Sequence, residues 1–219
     1  MKKWMLFLMC FVIGTGALAG CSSDSTPFTQ KNYTADGKTI AEIHIDVRDR
    51  EIEVTASPDD QIHIDYFEND KEFYDISVSD GNVLAMTAAT DKEWTDYIGT
   101  QSSENPRKIS LQIPDALIGT LKIATTNEDI TMDALTFTQN VSLTANGGSI
   151  TFDKLYAGNQ ITLDAKNGDI SGVIDGSYEE YAISCDAKKG ESNLPSSKEK
   201  GNKTLSVTAN NGDVAIDFA

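Results

Sequence analysis

Asp129, Asp169, Glu191 and Asp213 occupy one place in a unit that the chain writes several times over, and Glu51 and Ser149 fill that place in two further copies. Asp133, Asp153 and Asp217 share a second place four residues further on, where Val173 interrupts the series. If the copies stack, these side chains form two columns with neighbours about 4.8 Å apart. Like charges stacked so closely oppose one another by about a few tenths of a kcal/mol each. Three chemistries would offset that cost. Short acidic side chains cap backbone N–H groups in turns. A carboxylate column can dock a basic partner such as a cationic peptide. Clustered carboxylate and carbonyl oxygens also suit a hard cation such as calcium. The turn-forming role is the expectation, with the other two as alternatives, and no metal or cofactor is assigned.

A second pattern involves the two histidines of the chain. Ile43-His44-Ile45-Asp46 and Ile62-His63-Ile64-Asp65 lie 19 residues apart. Stacked in register, they would place two imidazoles and two carboxylates on one face, a donor set suited to zinc. Alternating strands turn polar residues outward in any case. The aromatic residues Tyr66, Phe67, Phe73, Tyr74, Trp94 and Tyr97 crowd the first half of the chain. They fit either a contact surface for sugar or peptide or a plug for the open end of a stack. Patterns for a serine nucleophile, a zinc protease, a phosphate loop or a CxxC pair are missing, so no catalytic residue is proposed and an enzyme is not expected.

The element that positions the acidic columns is a unit with a 20-residue period. Leu121, Ile123 and Thr125 lead through Asn127-Glu128-Asp129 to Ile130 and Met132. Val141, Leu143 and Ala145 lead through Asn146-Gly147-Gly148-Ser149 to Ile150 and Phe152. Ile161, Leu163 and Ala165 lead through Asn167-Gly168-Asp169 to Ile170. Apolar residues at every second position share one face of a strand. The Asn, Gly and Asp between them favour a tight corner because they tolerate positive φ. Such a unit cannot bury its inner face alone, whereas stacked copies can, which predicts a solenoid over a meander of hairpins. Ile43–Val54 has the same offsets around a corner at Arg48-Asp49-Arg50-Glu51, and Ile62, Ile64 and Tyr66 begin what reads as another coil. Ile76 to Met86 reads as a hairpin around Asp80-Gly81-Asn82, and residues 88–107 as a polar loop. After residue 174 the corner glycines are 22 apart, at Gly168, Gly190 and Gly212, with 175–181 and 195–203 as inserted loops. The last coil ends at Ala219 without an evident cap.

The first residues serve another purpose. Lys2 and Lys3 precede an apolar run from Trp4 to Ile13, too short to span a bilayer, and Leu18-Ala19-Gly20-Cys21 resembles a bacterial lipobox. Residues 1–20 are therefore expected to be a lipoprotein signal peptide, with Cys21 lipidated and the mature chain held to the bacterial cell membrane from outside the cytoplasm. Residues 21–38, rich in Ser, Thr, Lys and Asn, read as a flexible tether. Residues 39–219 read as one domain, irregular over 39–107 and regular over 108–219. Cys185, alone after such processing, reads as a buried small hydrophobe. The whole chain has a formal charge of −16. Loss of residues 1–20 takes the 18 basic residues to 16 against 34 acidic ones, a charge of −18. So acidic a surface argues against nucleic acid as a partner.

The stacked Asn-Gly-Asp-Ile units, and the lead-in Ile109-Ser-Leu-Gln-Ile-Pro114 followed by Leu121-Lys-Ile123, resemble the bacterial putative-adhesin family of β-strand-repeat proteins, a domain family of unknown function. The likeness covers roughly residues 40–219, and Glu128 departs from it where the units have Gly. The resemblance implies an all-β, right-handed parallel β-solenoid of roughly 20–22-residue coils, displayed on the cell surface. The role it implies is an adhesin or envelope scaffold that meets a wall polymer or a surface protein. The alternative is an envelope-stress protein that senses or sequesters cationic peptides through its acidic columns. A sugar-acting enzyme is a distant third.

Overall fold

The computed structural model describes residues 27–90 and 107–219. The signal peptide, Cys21 and the aromatics Trp94 and Tyr97 lie outside the described residues. The first part of the chain forms β1 (Thr29–Asp36), β2 (Glu42–Asp46), β3 (Glu51–Ala56), β4 (Gln61–Glu68), β5 (Glu72–Val78), β6 (Val83–Thr90) and β7 (Lys108–Ile113). The middle forms β8 (Thr120–Thr125), β9 (Ile130–Met132), β10 (Leu135–Phe137), β11 (Asn140–Ala145), β12 (Ile150–Ala157), β13 (Gln160–Ala165) and β14 (Ile170–Ile174). The last part forms β15 (Tyr181–Ala187), β16 (Ser197–Lys198), β17 (Lys203–Ala209) and β18 (Val214–Phe218).

Two nine-stranded sheets face each other. One runs β1-β4-β7-β3-β9-β12-β14-β18, with β10 beside β12, and the other β16-β15-β17-β13-β11-β8-β2-β6-β5. Most pairings are parallel, as the repeat requires. Val141 lies between Leu121 and Ile161, and Leu143 between Ile123 and Leu163. Ile150 lies between Ile130 and Ile170 in the other sheet. Because offsets align, each apolar residue sits on its own kind, and the inward side chains of both sheets merge into a single buried cluster from Ile40 to Ile216. Burying each Leu, Ile or Val in it contributes about 1.5–3 kcal/mol.

The corners are tighter than a turn-propensity argument requires. A Cβ placed on Gly148 would lie 2.2 Å from the Glu128 carbonyl oxygen, one on Gly168 2.2 Å from that of Gly148, and one on Gly212 2.1 Å from that of Gly168. None of these corner glycines has positive φ; among the described glycines that conformation belongs to Gly172, Gly176 and Gly201. The glycines are there because backbone stacks on backbone, not because the turn needs left-handed geometry. Glu128 escapes the rule because the coil beneath it turns differently, through Asp49 at φ 52°, and its carboxylate pairs with Arg107 at 3.0 Å.

The order of the stack departs from the order of the chain at both ends. The coil β2–β3 packs against β8 and β9 on one side and against β6 and β7 on the other. At the far end β17 and β18 insert beside β13 and β14, and the earlier strand β15 lies outside them. The three glycines spaced by 22 therefore stack in the order Gly168, Gly212, Gly190. The final coil is interior, and the segment 181–198 closes that end. There β16 runs antiparallel to β15, and the Asn193 amide imitates a strand: its Nδ2 donates to the Ile216 carbonyl at 2.9 Å and its Oδ1 accepts from the Ile216 N–H at 3.0 Å.

Two further expectations are corrected. The strand holding Ile62 and Ile64 opens no coil; β4 runs antiparallel to β7 and to β1. Residues 29–36 are a strand, not tether, because Lys31, Tyr33 and Ala35 alternate inward along an edge where polar outward residues are tolerated. The hairpin β5–β6 forms as read, with Val78 opposite Leu84.

The corner geometry predicts that Gly168→Ala will lower stability by about 2–4 kcal/mol, since its methyl meets backbone that cannot move aside. Glu128→Ala, one coil beyond the constraint, should cost less than about 1 kcal/mol; paired urea titrations of the two variants check this.

Candidate functional site

The first acidic column is a ladder of hydrogen bonds. Asp129 Oδ1 accepts from the Ser149 N–H at 2.7 Å, and Ser149 Oγ from the Asp169 N–H at 3.1 Å. Asp169 Oδ1 accepts from the Asp213 N–H at 2.8 Å, and Asp213 Oδ1 from the Glu191 N–H at 2.8 Å. Each rung joins one coil to the next and satisfies a corner N–H that no strand partner reaches. A parallel ladder of amides runs beside it, in which Asn211 Nδ2 donates to Asn167 Oδ1 at 2.6 Å and Asn167 Nδ2 to the Asn146 carbonyl at 3.0 Å. The second column is broken, because Asp217 lies opposite Val173. Asp133 and Asp153 are exposed on the coils before that break.

The two histidines do not meet. His44 is on β2 in one sheet and His63 on β4 in the other. His44 Nε2 contacts Glu42 at 2.9 Å, and His63 Nε2 contacts Asp59 at 3.0 Å. The zinc arrangement required β4 to stack in parallel register on β2. Among the described residues no group of three or more His, Cys, Asp or Glu side chains is placed to hold a metal ion. Cys185 is 6% exposed, with Sγ 3.3 Å from Ser192 Oγ.

The aromatics of the first half divide. Tyr66 and Tyr74 pack edge to face at 5.3 Å against the core at the end closed by β1, β4 and β5. Arg50, 5% exposed, reaches up from its corner to this cap. Its Nε donates to Tyr74 Oη at 2.6 Å and its Nη2 to Glu72 at 2.7 Å, while Nη1 donates to the Asp49 carbonyl at 2.9 Å. Burial opposes the charge on Arg50, but Tyr74 and Glu72 outweigh it and hold the guanidinium pKa above its ordinary value. Burial pushes the Tyr74 phenol up, with Arg50 working against it. The stability carried by neutral Tyr74 is thus present below the unfolded phenol pKa of about 10 and is lost as pH rises through the higher folded value.

A cluster that the sequence reading missed lies at the opposite end, where the two inserted loops come together. Lys203, 8% exposed, holds Glu180 at 2.8 Å and lies 4.2 Å from the Tyr156 ring centre and 5.4 Å from that of Tyr181. Lys203 holds the Glu180 carboxyl below its usual range, so this pairing persists above the ordinary Glu pKa and fails only as pH falls through the lowered one. Phe218 meets Tyr178 edge to face at 5.4 Å and Tyr181 at 5.6 Å. The available signal was two tyrosines and several lysines in segments otherwise read as bulges.

One family model, Toastrack DUF4097, matches residues 40–219, the stretch that carries the repeat. The chain belongs to the Toastrack DUF4097 family. This bears out the resemblance to the β-strand-repeat putative adhesins; the family's function is unknown. Among solved structures, a putative cell adhesion protein from Clostridium sporogenes shares 10% identity over 88% of this chain and 100% of its own, with a TM-score of 0.61. At that identity the likeness shows the fold. A putative adhesin from Bacteroides fragilis, 14% identical over 89% of this chain and 98% of its own, superposes with a TM-score of 0.37. No curated protein matches the chain.

Two outcomes follow for this Toastrack domain. Asp169→Ala should lower stability by about 1 kcal/mol through loss of the rung to Asp213, whereas Asp169→Asn, which keeps an Oδ1 acceptor, should retain most of it; thermal unfolding of the two distinguishes acceptor from charge. Arg50→Ala should cost about 3 kcal/mol, because it strips a buried cation from Tyr74 and Glu72, and is read from the midpoint of chemical unfolding.

Proposed function

We propose that this Toastrack chain is a surface-tethered binding module, an adhesin or envelope scaffold, that acts without catalysis. The observation carrying the proposal is the position of the ends. β1, which lies within the stretch expected as tether, is the outermost strand of one sheet, and β15 and β16 close the opposite end of the other. Nine strands in line from β5 to β16, spaced by about 4.8 Å, extend the stack over roughly 38 Å. A lipid on Cys21 would fix the near end to the outer side of the cell membrane, and a right-handed stack of roughly 20–22-residue coils would present its faces and far end outward. Wall polymer or another surface protein is the partner class this arrangement suits. The ladder already gives one oxygen of Asp129, Asp169 and Asp213 a structural partner. A role in capturing cationic peptides therefore rests on the remaining exposed oxygens and the overall acidity.

Binding of the fragment from Ser22 onward to purified wall polymer and to a cationic peptide, at low and high salt, separates the readings. Saturable wall binding that survives high salt is the expected result. Peptide binding that collapses with salt, and is absent in a variant with Asp129, Asp169 and Asp213 changed to Asn, would replace the adhesin reading with the peptide one. The Asn changes keep the ladder acceptors, so loss of binding would report charge and not unfolding.

A further inference from the structure

We propose that the aromatic cluster at the far end, around Tyr178, Gly176 and Glu180, is a binding subsite for an uncharged sugar residue; the inference rests on the adhesin reading and names its ligand class. Tyr178 is 37% exposed, one of three large apolar side chains so exposed among the described residues. Its ring is nonetheless held in place. Phe218 meets it edge to face at 85°, and the Lys198 ammonium sits 4.9 Å from its centre. Lys198 is itself fixed by the carbonyls of Tyr181 at 2.8 Å and Lys200 at 2.7 Å. With Lys198 over one face, the exposed part of the ring is locked in orientation and has little entropy left to lose on stacking.

Beside it lies an unmet polar group. The Tyr181 hydroxyl is buried, in a residue with no exposed surface, and has no hydrogen-bond partner. Leaving such a group unpaired costs about 1–3 kcal/mol, and each instance in a folded protein calls for an explanation. Gly176, at φ +139°, borders it without a side chain, and an atom in the place of its Cβ would be in van der Waals contact with the Tyr181 hydroxyl at 3.8 Å and Glu180 Oε2 at 3.7 Å. A ligand hydroxyl arriving over Gly176 would meet the phenol and the carboxylate from the same side.

Charge selects the ligand class. The chain carries −16 overall, yet here three carboxylates close together in the chain have lysines: Asp175 with Lys154 at 3.0 Å, Glu179 with Lys198 at 3.8 Å, and Glu180 with Lys203 at 2.8 Å. The lysines disfavour a cationic peptide and the carboxylates an anionic polymer. A fixed aromatic ring with balanced donors and acceptors suits a neutral polyhydroxylated ring, whose C–H face lies on Tyr178 while a hydroxyl is directed at Gly176.

The test is titration of the isotope-labelled domain, from Ser22 onward, with chitotetraose and with cellotetraose, followed by NMR. Shifts centred on Gly176, Tyr178 and Glu180 are expected with at least one of them. Tyr178→Ala should weaken that binding by about tenfold or more while thermal unfolding still shows a folded domain, and Leu117→Ala, at an exposed apolar site elsewhere, should leave it intact. Absence of shifts at these residues with both sugars overturns the subsite, as does binding that Tyr178→Ala leaves unchanged. Wild-type wall binding that persists fully in Tyr178→Ala would remove the subsite and leave the adhesin reading standing. Sugar binding by a domain that ignores wall polymer would keep the subsite and count against adhesion.

Discussion

The backbone contact at the corners sets the terms for everything else in this molecule. Gly148, Gly168, Gly212 and Gly190 each lie where a single added carbon would come within 2.1–2.2 Å of a neighbouring coil's carbonyl oxygen. That contact sets how closely successive coils stack at the corner. The residues just before the corner are small: Ala145, Ala165 and Ala209 stand in register, with Ala187 beyond them. Thr125 takes the same place in the coil where the neighbouring corner is different, and there its hydroxyl donates to the Arg50 carbonyl at 2.8 Å. Elsewhere along the strands Leu, Ile and Val fill the core.

The same closeness explains the acidic column. Corners stacked this tightly leave N–H groups that no strand can pair, and a short side-chain acceptor on the next coil is the available remedy. Ser149 shows what the position requires, since it serves the Asp169 N–H with a neutral oxygen. An acceptor is needed there and a negative charge is not. Charge-assisted hydrogen bonds and solvent at the exposed edge offset the repulsion between Asp169, Asp213 and Glu191.

The three regular coils were legible in the sequence because each offset recurs after 20 residues and the buried face follows from alternation. The corner glycines were also legible, though for a different reason than the one inferred, since turn chemistry and close stacking select the same residue. Stack order was not legible. Val207 pairs as well with Leu163 as with Cys185, and nothing in the apolar pattern of β17 says which strand lies on which side. The connecting loops decide that, and their residues follow no period. His44 and His63 failed for a related reason: identical local motifs, Ile-His-Ile-Asp, went to different sheets because β4 reverses direction. In the tether, the alternation of Lys31, Tyr33 and Ala35 was present but masked by polar composition.

Strand exchange at the far end also accounts for where irregular chemistry collects. By inserting between β14 and the closing segment, β18 places Phe218 opposite Ile174, and Ala219 accepts from the Gly176 N–H at 2.9 Å. In simple chain order the place beside Ile174 would fall to the closing segment, and Tyr178 would lose the Phe218 edge it rests on. The same exchange carries β17 next to β13, which brings Lys203 within reach of Tyr156 and draws Glu180 and Tyr181 around it. A regular solenoid repeats its faces and so repeats their chemistry; a site with one copy needs a break in the repeat. In this chain the break is the crossing of two loops over a displaced coil, and the cluster of Tyr178, Tyr181, Phe218, Lys198 and Lys203 is what that crossing assembles.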